Sequence, residues 1–333
     1  MKKVYCLKIF AAFCLFAFSA SAHDAHNSRP DGHAPIGVMR DHFHKKGEYM
    51  LSYRYDLMSM SGAREGTRDL SSADVLSKYT MSPSKMTMKM HMAGVMYGVT
   101  DNFTLTAMAS FVEKDMKMFN RSYQKSEKEI SGFGDLKLNA MYGIFDEPTR
   151  RAQFNLGLSV PSGSIKETYD GARVAYPMQL GSGSYEVLPG VSYSGYKGDY
   201  SYGAQLNGTF RINDNNSGYR LGDSHNITAW TAKKLSAAFS VSSRLDYTVT
   251  QKTKGYDKVL NTMMNLSMSP ANNPKNSGRK SLDFLLGANF IMPKGYLKGH
   301  RLAIEGGVPL YQNINGIQLK NDYKLTLGWQ KSF

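Results

Sequence analysis

The clearest signal along this chain is period-two alternation of apolar and polar residues, repeated in short runs. Residues 199–212 show it best. Tyr200, Tyr202, Ala204, Leu206, Phe210 and Ile212 alternate with Ser201, Gln205, Asn207, Thr209 and Arg211. Segments 103–113, 134–145, 152–160 and 238–250 repeat the pattern. Looser runs cover 47–60, 86–98, 184–194, 225–233, 281–292, 300–311 and 321–333. Twelve strands are therefore expected. The intervals between them are alternately short (99–102, 146–151, 195–198, 234–237, 293–299) and long (61–85, 114–133, 161–183, 213–224, 251–280, with 312–320 more modest). A soluble sandwich has no reason to gather its long loops at one end. A membrane barrel does, with short periplasmic turns and long extracellular loops. In hydrocarbon an unpaired backbone N–H or C=O costs several kcal/mol, so such a sheet has to close on itself. The predicted fold is all-β: a closed antiparallel transmembrane barrel of about twelve strands over 47–333.

The N-terminus predicts export. Lys2 and Lys3 precede an apolar core, Ile9 to Phe18, and Ala20-Ser21-Ala22 is a small-x-small cleavage site. Residues 1–22 read as a signal peptide and 23–46 as a polar, His-rich periplasmic tail. The two cysteines, Cys6 and Cys14, leave with the signal, so no disulfide framework is expected. The chain is basic, with formal net charge +14, and stays basic once Lys2, Lys3 and Lys8 are removed. An exported chain without zinc-knuckle or RNA-motif signatures is not expected to meet nucleic acid. Anionic lipid and lipopolysaccharide are the natural partners for its lysine-rich stretches 114–133 and 251–280. The last run ends in Trp329 and Phe333, which resembles the final-strand signal read by the barrel-assembly machinery. Lys331 falls on the apolar face, where it would snorkel to the interface. The expected location is the outer membrane of a Gram-negative bacterium.

Several stretches together resemble the outer-membrane transporters of the phenol meta-pathway degradation-like family. They are HAPIGVMRDHFHKKGEYMLSYRY (33–55), MTMKMHMAGVMYG (86–98), GFGDLKLNAMY (132–142), LGLSVPSGSI (156–165), YPMQLGSGSYEVLPG (176–190) and GYRLGD (218–223). The resemblance implies an outer-membrane barrel and, more loosely, passage of small organic solutes. It offers no catalytic residues. Arg40 stands where the family pattern has glycine, and Phe43 where it has methionine.

Three groups of residues are candidates for chemistry. Lys137, Arg211, Arg244, Asp246, Asp283 and Glu305 fall on polar faces and are expected to line the lumen, either bracing it by salt bridges or meeting solute. His23, His26, His33, His42 and His44 crowd the tail, and imidazole suits copper or zinc. Methionine is abundant, 20 in all, and Met86, Met88, Met90 and Met92 alternate on one strand face. Facing the lumen they would form a soft-metal ladder. Thr87, Lys89 and His91 lie on the opposite face, however, and charge belongs inside, so the methionines are expected to face lipid. Ser224-His225-Asn226 raises a lipase-like set, but adjacent strand residues point to opposite faces and cannot pair. No enzyme and no required cofactor is expected. The functional expectation is a channel for small solutes. The alternative is a His/Met-rich envelope protein that binds or passes copper or another soft metal.

Overall fold

A computed structural model describes residues 29–333. The expected signal peptide, His23 and His26 lie outside these residues. No helix among the described residues is long and apolar enough to cross a membrane. The architecture is a single closed antiparallel sheet. Its wall is made by β1 (Tyr49–Gly66), β3 (Met81–Thr100), β4 (Phe103–Asn120), β5 (Lys125–Phe133), β6 (Leu136–Glu147), β7 (Arg150–Val160), β10 (Glu186–Lys197), β11 (Tyr200–Arg211), β13 (Ser224–Lys234), β14 (Phe239–Thr250), β16 (Arg279–Ile291) and β17 (His300–Ser332). Short elements decorate one end: β2 (Arg68–Leu70) with helix α1 (Ser72–Lys78), β8 (Thr168–Tyr169) with β9 (Ala172–Arg173), β12 (Tyr219–Arg220) with β15 (Lys254–Gly255), and helix α2 (Met263–Met268).

Neighbours in the wall are neighbours in sequence, and β1 closes on β17 antiparallel. Strictly alternating strands can close antiparallel only if the chain crosses the wall an even number of times. β17 supplies the extra crossing. Its first half pairs Arg301–Ile314 with β16, and its second half pairs 314–332 with β1. The reversal lies at Asn315-Gly316, where Gly316 takes the left-handed φ of +67° that suits glycine. β5 and β6 are two lengths of one wall strand. β4 pairs with β5 through Phe111↔Phe133 and with β6 through Met108↔Lys137, so one extra residue is inserted between them. This is a β-bulge at Gly134-Asp135. The expected twelve crossings are thereby present. Of the intervals read as loops, 114–133 is largely the β4–β5 hairpin, and 312–320 is a tight turn inside β17. Their polar sequences hid strands that run beyond bilayer depth.

Alternation sorts each strand cleanly. On β7, Phe154, Leu156 and Leu158 are exposed, while Arg151, Gln153, Asn155 and Ser159 are buried. On β11, Tyr200, Tyr202 and Leu206 are exposed, and Ser201 and Gln205 are buried. The greasy face is the outer one, as hydrocarbon requires, and the polar face is the lumen. The termini of the sheet meet at the short-turn end. There Tyr49 and Phe333 exchange backbone hydrogen bonds (3.2 and 2.8 Å) and their rings stack at 4.8 Å. Trp329 donates its indole N–H to His300 Nδ1 (3.0 Å), and the Lys331 ammonium reaches the Lys298 carbonyl (2.7 Å).

β3 departs from the expectation. Met86, Met92 and Met96 are buried inside the wall, and Met88 and Met90 line an internal cavity. Lys85, Lys89 and Tyr97 are on the outer face. The methionines thus face inward, not lipid. The reason is length. β3 has 20 residues, and about 9–11 suffice to span a bilayer, so its first half stands clear of the hydrocarbon. There Lys89 meets Glu113 of β4 (3.6 Å) on the outer surface, both side chains near half exposed. His91 sits lower and is held by the Tyr53 hydroxyl (2.7 Å). Met60, Met86, Met116, Met118 and Met178 pack with Ile130, Val174 and Leu319 as an apolar cluster inside the long-loop end.

Candidate functional site: a plugged lumen

The polar wall faces are not left to water. Residues 29–48, of which 29–46 were expected to belong to a periplasmic tail, run inside the barrel at its short-turn end. Pro30 to Ile36, Val38, Asp41 to His44 and Glu48 are buried. The segment touches the wall nearly all the way round. The Gly37 amide donates to Glu305 of β17 (2.8 Å). Gln205 of β11 donates to the Met39 carbonyl (2.7 Å), and Gln153 of β7 to the Arg40 carbonyl (2.6 Å). The Tyr196 hydroxyl of β10 donates to the Gly32 carbonyl (2.9 Å). The His44 amide donates to Thr104 of β4 (2.8 Å). Arg301 of β17 caps the Arg29 and Pro30 carbonyls (2.8 Å each). The segment has no regular structure of its own, so its backbone groups need these side-chain partners.

Apolar contacts fix its height. Ala34 and Val38 pack on Trp230 of β13. Phe43 lies so close over Gly143 that an added Cβ would meet the ring at 2.3 Å, and Ile36 fills the space over Gly328 in the same way (2.4 Å). The Arg151 guanidinium lies 5.3 Å from the centroid of the Phe43 ring. Arg40 has φ +59°, a region that glycine occupies without strain. Its guanidinium bridges Asn139 (2.9 Å) and Asn207 (3.2 Å) across the lumen, and burial lowers it to about 10.

The lumen charges expected from sequence are placed as follows. Arg244 forks onto Glu305 (2.8 and 2.9 Å) and also reaches Asp246 (3.0 Å). The Gly37 position sits against this pair; a Cβ there would be 2.0 Å from Glu305 Oε2. Asp283 is paired with Lys324, and Arg211 with Glu186 (2.9 Å). Lys137 has no hydrogen bond or ion pair among the described residues and lines the cavity above the plug.

That cavity has a volume of about 400 Å³. Met88, Met90 and Val112 form one side, and Lys137, Arg211 and Glu186 the other. Its roof is loop 161–185. Both ends of this loop are tied to the bulge: Asp135 accepts from the Gly163 amide and from the Ser182 amide and hydroxyl (2.8 Å each). Lys114 donates to the carbonyls of Pro177 and Gln179. Tyr176 accepts from the Asp257 amide (2.8 Å) and meets the Tyr219 ring edge-on at 4.9 Å, which knits the three long loops together. The sequence reading missed the Asp135 bulge and the Lys114 tether. Its signal was present in Gly134-Asp135 interrupting an otherwise alternating run.

Ser224 and His225 are not brought together. Ser224 contacts Thr250 (3.2 Å), while His225 lies against Phe210 (5.3 Å between rings) and opposite Val249, far along the sheet from Ser240 and Ser242. His33, His42 and His44 are gathered in the plug, whereas Met86, Met88 and Met90 line cavities in the other half of the lumen and Met92 stands opposite Arg54, which donates to the plug carbonyl of Val38.

No protein-family model matches this chain, and no curated protein matches its sequence. Solved structures do share its fold. An outer-membrane channel from Pseudomonas putida F1 superposes with TM-score 0.62 at 16% identity, over 89% of this chain and 99% of that one. The KdgM porin (TM-score 0.41, 9% identity, 85% and 99% coverage) and the CymD monoaromatic hydrocarbon channel (0.39, 7%, 87% and 89%) are more distant. At these identities the likeness is one of fold: this chain is built as outer-membrane barrel channels are built.

Proposed function

We propose that this protein is an outer-membrane channel for small organic solutes bearing an anionic group. The observation that carries the reading is the cavity of about 400 Å³ between plug and loops, which joins a thioether-rich wall to a lysine without an ion pair. A volume in that range suits a small molecule. Met88 and Met90 offer a polarizable, adaptable surface to its apolar body. Lys137, with Arg211 nearby, offers charge-assisted hydrogen bonds to a carboxylate. The exposed apolar outer face supports residence in a membrane, and residues 1–22 would supply export. Trp329 and Phe333, on the strand that closes the sheet, would serve as the assembly signal. Lys85, Lys89 and Lys117 stand on the outer face toward the long-loop end, where lipopolysaccharide phosphates would lie.

Reconstituted liposomes test the proposal. Benzoate should enter faster than a neutral sugar of similar size, and Lys137→Gln should slow benzoate about tenfold while leaving benzyl alcohol unchanged. Entry no faster than into empty liposomes, for every solute, would remove the channel reading.

A further inference from the structure

The plug contains a cluster that the cavity does not use. His33, Asp41 and His42 each place a ligand-capable atom within 4.8 Å of the others, in buried surroundings. The rings of His33 and His42 lie 3.9 Å apart, and those of His42 and His44 lie 5.1 Å apart at 78°. Two imidazoles on one tetrahedral ion, each at a bond length of about 2.0–2.1 Å, have ring centres about 5 Å apart. Each of two histidines also carries a carboxylate on its Nδ1 side. Asp41 Oδ1 is 2.7 Å from His42 Nδ1, and Glu48 Oε2 is 3.3 Å from His44 Nδ1. Asp41 is itself held by the Ala34 amide (2.8 Å). A carboxylate at Nδ1 keeps the proton there and leaves Nε2 its lone pair. The Nε2 atoms of His42 and His44 are buried and meet no hydrogen-bond partner among the described residues, in residues only 2% and 1% exposed. Buried polar atoms are ordinarily satisfied, so two such nitrogens in one cluster require a reason.

We infer that His42 and His44, whose ring spacing of 5.1 Å matches two ligands on one ion, bind a divalent transition-metal ion of the imidazole-preferring kind, zinc or copper, with His33 stacked on His42 beside them and Asp41 and Glu48 as the outer carboxylates that orient the ring nitrogens. Asp41 and Glu48 face the cluster through His42 and His44, and the Arg151 and Arg301 guanidiniums lie near His33. These imidazoles all come from residues 33–44, so the ion would close the plug on itself and make no bond to the wall. It would set the shape of the plug rather than hold the barrel together.

The test is metal retention by the full mature chain in detergent, stripped with EDTA, loaded separately with Zn²⁺ and Cu²⁺, and desalted. One ion per chain is expected. His42→Gln and His44→Gln should each abolish retention, and Asp41→Asn should weaken it about 10–100-fold, as outer-partner changes do. His91→Gln and His225→Gln, on wall strands, should leave retention unchanged, as should His23→Gln with His26→Gln. Heat-modifiable migration confirms that each variant has kept its barrel, and His44→Gln with Asp41→Asn decide the matter if His42→Gln does not fold. No retained ion, retention unchanged by the plug variants, or loss through His23 and His26 alone would overturn the site. The readout is metal per chain, so it stands or falls apart from solute flux.

Discussion

Arg244 and Glu305 bring opposite charges to one buried point of the lumen, with side chains 7% and 1% exposed, and the plug backbone at Gly37 completes their hydrogen bonds. A buried pair of this kind is costly to break from one side, because the remaining charge has no water. Among the described residues, Arg244→Ala leaves the Glu305 carboxylate with the Gly37 amide alone and leaves Asp246 with Asn226 (2.9 Å) but no ion pair. It should destabilise the folded barrel by about 3–5 kcal/mol, measured by urea titration in lipid vesicles. Replacing both partners, Arg244→Met with Glu305→Met, should recover much of that loss. A single substitution as mild as the double one would mean that the pair carries little. The sequence showed Lys137, Arg211, Arg244, Asp246, Asp283 and Glu305 as charges on polar strand faces. Their roles were not legible, because pairing depends on register: Arg244 finds Glu305 two strands away, whereas Lys137 ends beside a cavity.

At the scale of elements, alternation identified nearly every wall strand, because the lumen and lipid faces demand opposite chemistry at successive residues. It failed where a strand outruns the membrane. The rule that charge belongs inside holds only at hydrocarbon depth, and β3 carries Lys89 above it, paired with Glu113 in a polar setting. The outward residues at depth are a different matter. Leu245 on β14 is 47% exposed on the apolar belt. Leu245→Arg should cost about 2–4 kcal/mol if the belt lies at mid-bilayer, whereas Lys89→Leu should change stability by no more than about 0.5 kcal/mol. Vesicle unfolding titrations compare the two directly. Equal effects would put Lys89 in the hydrocarbon and invert the depth assigned to β3. The β5–β6 break shows the same limit of periodicity. The extra residue at Gly134-Asp135 shifts the phase of the pattern, and the segment before it reads as loop although it continues the wall.

The whole molecule is a cylinder closed at one end by its own N-terminal segment and roofed at the other by three knitted loops, with a cavity between. The cylinder was legible; the plug was not. Residues 29–48 have no period, and their histidines and charges read as a solvated tail. What holds them inside is a set of individual fits: Phe43 over Gly143, Ile36 over Gly328, Trp230 against Val38, and Gln153 and Gln205 on the plug carbonyls. The amides on the lumen face of β7 and β11 were visible in the sequence, but nothing in their spacing said that protein rather than water would satisfy them. Passage through the short-turn half of this lumen therefore depends on where residues 29–48 sit. Single-channel conductance in planar bilayers tests that most directly, comparing the mature protein with a variant lacking 29–46. The structure predicts a several-fold larger conductance without the segment, from a barrel that still shows heat-modifiable migration. Equal conductance from the two proteins would contradict it.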